Sequence, residues 1–193
     1  MNPELKLTPR QLVWPRRGFR VLAQTGSSKL AVIAAASTTA VYSAFVLILY
    51  LGGHQPSFTG NPIPPESYYL WQAIFLWLWL PMAFAVNVLV AQGMLHLFGD
   101  PRPLKTTAST LPITLAMPLL VAYLTPEIIA YAVAGHDALI AVMRIAAPIT
   151  LLWWMALTAL CLRVVHGCTR PAALVTTLAS TMATIVFVAI LVR

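Results

Sequence analysis

Long apolar runs alternate with short polar intervals along the chain, and five of the runs are long enough to cross a bilayer core. A transmembrane helix needs roughly 20 apolar residues to do so. The predicted spans lie near Leu30–Leu51, Tyr69–Leu95, Thr110–Tyr131, Ala138–Leu162 and Ala172–Val192. Pro112, Pro118 and Pro126 interrupt the third run, so we expect this span to be bent or offset.

The composition supports a membrane protein. Of the 193 residues, 60% are hydrophobic and 9% are charged, which is too apolar for a soluble domain of this size. We therefore predict an all-α integral membrane protein with two parts: a basic cytoplasmic or interfacial segment, residues 1–29, and a five-helix transmembrane domain, residues 30–193. The first segment lacks an apolar core with a small-residue cleavage site, so we expect no cleaved signal peptide.

The distribution of Lys and Arg predicts the orientation. These residues occur in the N-terminal segment and in the loops after the second and fourth spans, whereas the loops GGHQPSFTGNPIPPES and TPEIIAYAVAGHD contain none. Cytoplasmic loops retain positive charge. The pattern predicts a cytoplasmic N-terminus and an outer C-terminus, and free thiols with frequent Ala, Leu and Arg favour a bacterial inner (cytoplasmic) membrane.

An amphipathic helix is predicted just before the first span, in WPRRGFRVLAQ, with Pro15 near its first position. Its apolar face would carry Phe19, Leu22 and Ala23, and its basic face Arg16, Arg17 and Arg20. This pattern suits a helix on the inner leaflet, where each basic residue contributes on the order of 1 kcal/mol near anionic lipid. A topogenic signal without fixed structure is the alternative.

The stretch ALCLRVVHGCTRPAAL concentrates polar chemistry between the fourth and fifth spans, with Arg163, His166, Cys168 and Arg170. A catalytic Cys and His pair needs an orienting group and an oxyanion site, and neither is evident. Gly167 and Pro171 can stop one helix and restart the next. We interpret the stretch as a turn, with a partner or lipid headgroup site as the alternative. Cys161 and Cys168 are expected to be free thiols.

Two polar residues are predicted at membrane depth. Arg144 lies about two turns into the fourth run, where it could snorkel outward toward Asp137 or Glu127 or mark a functional site inside the bundle. Asn87 in the second run is expected to form an interhelical hydrogen bond.

Small residues mark one face of the fifth span, including Ala173, Thr177, Thr181 and Thr184. The first span carries a similar run, AVIAAASTTAVYSA. Small residues let helices approach closely, so these two spans are candidates for close contacts within one chain or between chains.

Common enzyme and carrier motifs are absent from the sequence: no Gly-rich phosphate loop, no His-Glu-x-x-His, no Gly-x-Ser-x-Gly and no cluster of intramembrane carboxylates. We therefore predict no enzymatic activity, no catalytic residue, no metal site and no cofactor. The net charge of +7 comes from residues that punctuate apolar runs instead of covering one exposed face, so nucleic acid is not an expected partner.

Three segments resemble the Yip1 family of small five-span membrane proteins in its bacterial form: VWPRRGFRVL, HLFGDPRPLKTTASTLPITLAMPLLVAYL and LLWWMALTALCLRVVHGCTRPAAL. The chain departs from the family pattern at Asp100, where a further Gly is expected after Gly99. The resemblance implies five spans with a cytoplasmic N-terminus. Eukaryotic relatives are associated with membrane trafficking and prenylated small GTPases, and the resemblance transfers no functional residue to this chain.

The leading functional hypothesis is a non-enzymatic protein that organises protein partners or lipids at the inner membrane face. Its expected partners are anionic headgroups and a membrane protein or a second copy of the chain. The predicted contact residues are Arg16, Arg17, Arg20, Arg102, Lys105, Arg163, His166 and Arg170. The alternative is a transporter or channel component with a polar path near Arg144 and Asn87.

Overall fold

The computed structural model describes residues 15–25, 28–56, 63–100 and 102–191, which form helices joined by short turns. The helices are α1 (Pro15–Thr25), α2 (Lys29–Leu51), α3 (Tyr68–Leu97), α4 (Leu104–Pro118), α5 (Thr125–Ala134), α6 (Ala138–Cys161) and α7 (Arg170–Leu191). A short 3₁₀ turn, Pro65–Ser67, precedes α3. Two π-helical segments, Leu119–Leu124 and Leu162–His166, join α4 to α5 and extend α6.

Five helical units are long and apolar enough to span a membrane, which confirms the predicted all-α bundle. The third unit, Leu104–Ala134, is longer than the predicted Thr110–Tyr131. Its first turns are rich in Thr and Ser, which suggested a loop. Here Ser109 and Thr110 instead donate their hydroxyls to the carbonyl of Thr106, so the polar side chains are accommodated on the helix itself.

The irregularity predicted from prolines in the third span is confirmed at Pro118. A proline inside a helix has no N–H to donate, and the helix widens into the π-helical segment directly after this residue. The Thr125 hydroxyl donates to the Leu120 carbonyl at 2.8 Å across this segment. Pro112 lies within α4 without ending it, and Pro126 occupies the first turn of α5. The span is therefore two helices offset by one wide turn.

Helix α3 lies at the centre of the packing. Helices α2 and α7 each pack chiefly against it, and α4 contacts α2, α3 and α6. The two spans with small-residue faces thus share α3 as their main neighbour within the chain. The face of α7 that holds Ala173, Thr177 and Thr184 is buried, as the spacing of its small residues predicts.

The amphipathic helix α1 is confirmed, but its apolar face packs against protein. Phe19 and Leu22 are buried in a cluster with Leu95, Leu111 and Leu162, while the arginines of α1 are exposed. The prediction placed this face in the inner leaflet. At this end of the bundle α4, α6 and the segment Leu162–His166 contact α1 instead, and they bury its apolar stripe.

We expect the Phe19→Ala variant to release α1 from the bundle, because truncating a buried Phe costs about 3 to 5 kcal/mol. Limited trypsin digestion in detergent should then cleave faster at Arg16, Arg17 and Arg20 than in the wild type. Gln24→Ala, on the exposed side of the same helix, is the matched control. Equal cleavage of Phe19→Ala and wild type would mean that other contacts hold α1.

Candidate functional site

Two clusters of polar side chains lie at opposite ends of the bundle. The turn after α3 positions a residue of the first cluster. Gly99 has a φ of 80°, a left-handed conformation that favours glycine, and the Asp100 N–H donates to the Leu95 carbonyl at 3.0 Å. This turn directs Asp100 toward the end of the fourth span. There Gly167, with a φ of 68°, ends the helical segment that carries His166.

Asp100 and His166 belong to a connected hydrogen-bond network, which we call the Asp100–His166 cluster together with Gln92, His96 and Thr107. His166 Nδ1 lies 2.5 Å from Asp100 Oδ2, and its Nε2 lies 3.3 Å from Thr107 Oγ1. Thr107 donates to Gln92 Oε1 at 2.5 Å. The Gln92 amide lies 2.8 Å from His96 Nε2.

The order carboxylate, imidazole, hydroxyl in this cluster resembles a nucleophile triad, but the geometry opposes catalysis. Thr107 is fully buried and gives its proton to Gln92, so its oxygen is neither accessible nor deprotonated by His166. Gln92 also donates to the Arg102 carbonyl at 2.9 Å, and the Arg102 N–H donates to Asp100 Oδ1 at 3.0 Å. The cluster therefore fastens the loop between α3 and α4 to the end of the fourth span.

The stretch between the fourth and fifth spans is a helix-ending turn, as predicted, and its side chains divide into two groups. His166 is buried within the cluster, which corrects its predicted place on an exposed contact face. The correction has a physical reason, because Asp100 supplies a partner that keeps the imidazole inside. Arg163 and Arg170 are exposed.

The structure brings the other predicted contact residues to the same end of the bundle. Exposed side chains are those of Arg16, Arg17, Arg20, Lys105, Arg163 and Arg170, and Arg102 is half-buried. We call the six exposed residues the basic face. Their elements meet there because α1 docks beside the start of α4 and the end of the fourth span.

The predicted free thiols are confirmed, since neither Cys161 nor Cys168 is in a disulfide. Partial burial raises the pKa of the Cys168 thiol, and the nearby Asp100 carboxylate raises it further. A raised pKa disfavours the reactive thiolate. Within the described ranges no group of three His, Cys, Asp or Glu side chains could hold a metal ion.

A cavity of about 600 Å³ lies at the opposite end of the bundle, between α2, α3, α5 and α6. Four tyrosines line it, so we call it the tyrosine cavity: Tyr42, Tyr68, Tyr69 and Tyr123. Glu127 in the first turn of α5 also lines it and is 4% exposed. Glu127 lies where the predicted third span overlaps the interval TPEIIAYAVAGHD, and this cavity was not predicted.

Of the two polar residues predicted at depth, only Arg144 lines the tyrosine cavity. It is exposed, and within the described part of the chain it forms no ion pair with Asp137 or Glu127. Asn87 is buried, and the predicted interhelical hydrogen bond is wrong, since its amide has no partner among the described residues. Ser180 and Thr184 on the neighbouring α7 donate to carbonyls of their own helix.

Two histidines and two tyrosines form a group next to the tyrosine cavity, and two of them, Tyr69 and His136, also line it. The rings of His54 and His136 stack with centroids 4.5 Å apart. Tyr131 and His54 are joined by a 3.2 Å hydrogen bond, and Tyr69 and His136 by another of 3.2 Å. Partial burial and the neighbouring His54 lower the pKa of His136, against a smaller opposite effect of Asp137.

We expect Asp100→Ala to lower the free energy of unfolding by about 1 to 3 kcal/mol, because it leaves buried polar groups without a partner. Denaturant titration in detergent micelles measures this change. Asp137→Ala, which removes an exposed carboxylate at the other end, should have little effect. Equal losses of unfolding free energy in the two variants would mean that the hydrogen bonds of Asp100 stabilise the fold no more than an exposed carboxylate does.

Stability should also fall as the medium becomes acidic. The lowered pKa of His136 means that the unfolded chain takes up the proton first, below about pH 6.5. The stabilising contribution is full above that pH and is lost as the pH falls through the folded-state pKa. Thermal unfolding between about pH 8 and pH 5 measures the slope. His136→Gln should flatten it, and an unchanged slope would assign the effect to other groups.

No protein-family model matches the chain, and no curated protein and no solved structure matches it significantly.

Proposed function

We propose that this protein is a non-enzymatic membrane protein, similar to the Yip1 family, that organises anionic lipids or a protein partner through its basic face. The docking of α1 is the observation that supports this function best. Burial of Phe19 and Leu22 fixes the helix on the bundle, so Arg16, Arg17 and Arg20 are presented from a rigid surface. A preorganised surface loses less conformational entropy on binding than a free segment does.

The charge balance at this end supports the same function. The chain has five acidic residues, and Glu66, Glu127 and Asp137 belong to the opposite end. Asp100 is engaged by His166, and Glu4 lies outside the described residues. None of the six residues of the basic face forms an ion pair over the part of the chain that the structure describes. With the N-terminus cytoplasmic, this face would meet the anionic headgroups of the inner leaflet.

The basic face also has a geometry suited to phosphate. Its arginines carry planar guanidinium groups that donate two parallel hydrogen bonds to one phosphate. Arg163 and Arg170 flank the turn at Gly167, beside the start of α4 where Lys105 is exposed. The same chemistry would bind an acidic protein surface, so lipid and protein partners remain within one proposal.

The alternative, a transporter or channel component, is supported by the tyrosine cavity beside Arg144. The predicted polar path joined Arg144 to Asn87, but Asn87 does not line this cavity. A transport role would predict loss of flux in Arg144→Ala with lipid association intact.

Replacing Arg16, Arg17 and Arg20 together by Gln should weaken binding of phosphatidylglycerol on the order of 100-fold, because each charge contributes about 1 kcal/mol. Native mass spectrometry of the full chain in neutral detergent, titrated with this lipid, measures the change. Gln24→Ala, an uncharged change on the exposed side of the same helix, is the control. If the triple variant binds phosphatidylglycerol as the wild type does, the basic face is not the lipid site.

A further inference from the structure

The tyrosine cavity holds a buried carboxylate without a cationic partner. Glu127 is 4% exposed and forms no ion pair with any Lys, Arg or His in the described ranges. The Tyr123 side chain interacts with this carboxylate. A buried carboxylate is costly unless a proton or a positive charge balances it, so a bound cation would stabilise its ionised form.

The aromatic lining favours the same charge. Tyr42 and Tyr123 contact edge to face with ring centroids 6.4 Å apart, and Tyr68 and Tyr69 do so at 5.4 Å. The faces of aromatic rings carry partial negative charge and attract ammonium groups. A carboxylate among four tyrosines is therefore suited to an organic ammonium group.

A second charge of the opposite sign lines the same cavity. Arg144 has no ion-pair partner within the described residues, and its guanidinium suits a phosphate or a carboxylate. It would also repel a simple cation that carries no negative group. The combination of Glu127 and Arg144 thus selects a molecule with both charges.

The remaining lining is apolar and the cavity is open. Phe45 and Leu49 of α2 face it from one side, and Ile140 and Met143 of α6 from another. The volume of about 600 Å³ falls within the usual range for small-molecule sites. Such a lining suits a ligand with an apolar portion next to its charged groups.

We propose that the tyrosine cavity binds a zwitterion, with its ammonium group between Glu127 and the tyrosines and its acidic group at Arg144. This chemistry belongs to the headgroup of an ammonium-bearing phospholipid and to soluble zwitterions of similar size. The site lies at the opposite end from the basic face, so it stands independently of the function proposed above.

The test uses the full chain in neutral detergent with three probes: short-chain phosphatidylethanolamine, short-chain phosphatidylglycerol and soluble phosphoethanolamine. Native mass spectrometry gives a dissociation constant for each. Phosphatidylethanolamine should bind the wild type, and Glu127→Gln and Arg144→Gln should each weaken it by about tenfold or more, because each removes a charge-assisted hydrogen bond. Glu66→Gln removes an exposed carboxylate at the same end and should leave binding unchanged.

The soluble probe separates the two sources of ligand. Binding of phosphoethanolamine that is sensitive to Glu127→Gln would support a soluble zwitterion, whereas binding of the lipid alone would support a headgroup held together with its acyl chains. Equal binding of phosphatidylethanolamine and phosphatidylglycerol by the variant that lacks Arg16, Arg17 and Arg20, or phosphatidylethanolamine binding unaffected by Glu127→Gln, would overturn the proposal.

Met143→Trp provides a test that keeps both charges, since it places bulk at the cavity wall at a half-exposed position. It should abolish phosphatidylethanolamine binding, and retained binding would overturn the proposal even if Glu127→Gln did not fold. The triple arginine variant of the basic face should bind phosphatidylethanolamine as the wild type does. Loss of phosphatidylethanolamine binding in that variant would place the lipid on the basic face and overturn the proposal.

Discussion

Polar side chains buried among apolar helices are costly unless they find partners there, because neither lipid tails nor a dry helix interface supplies water to them. The two ends of this bundle meet that constraint in different ways. At one end, Asp100, His166 and Thr107 satisfy one another in a closed network. At the other end, Glu127 and Arg144 line an open cavity without pairing. The first arrangement stabilises the fold, and the second leaves two ionisable side chains unpaired in one cavity.

Burial of α1 links the closed network to the basic face. The cluster fixes the loop between α3 and α4 against the end of the fourth span, and Phe19 and Leu22 pack on the same end. Since α3 is the main neighbour of both α2 and α7, this fixed end is continuous with the centre of the bundle. The arginines of α1 are thus held by the core and not by the membrane alone.

The spans and α1 could be predicted because they depend on local periodicity. A membrane helix satisfies its own backbone, so run length alone locates it to within a few residues. The destination of the α1 apolar face could not be predicted, since a bilayer and a protein groove bury the same stripe equally well.

Asp100 and His166 are 66 positions apart, and the tyrosine cavity draws on four helices. Those arrangements depend on tertiary packing, which no local pattern in the sequence encodes. Asn87 was located correctly at depth, but the predicted interhelical hydrogen bond does not form, and the buried hydroxyls of Thr177 and Thr181 on α7 also lack a partner among the described residues.

The π-helical segment Leu119–Leu124 determines which way α5 faces. Each residue added to or removed from a helix turns everything beyond it by about 100°. The extra width after Pro118 therefore sets the angular position of Glu127 relative to the helix start that holds Thr107. A one-residue deletion in this segment would rotate the carboxylate away from the tyrosines while the opposite end of the same span kept its contacts. Insertions and deletions here would therefore turn α5 about its axis and leave the Asp100–His166 cluster in place.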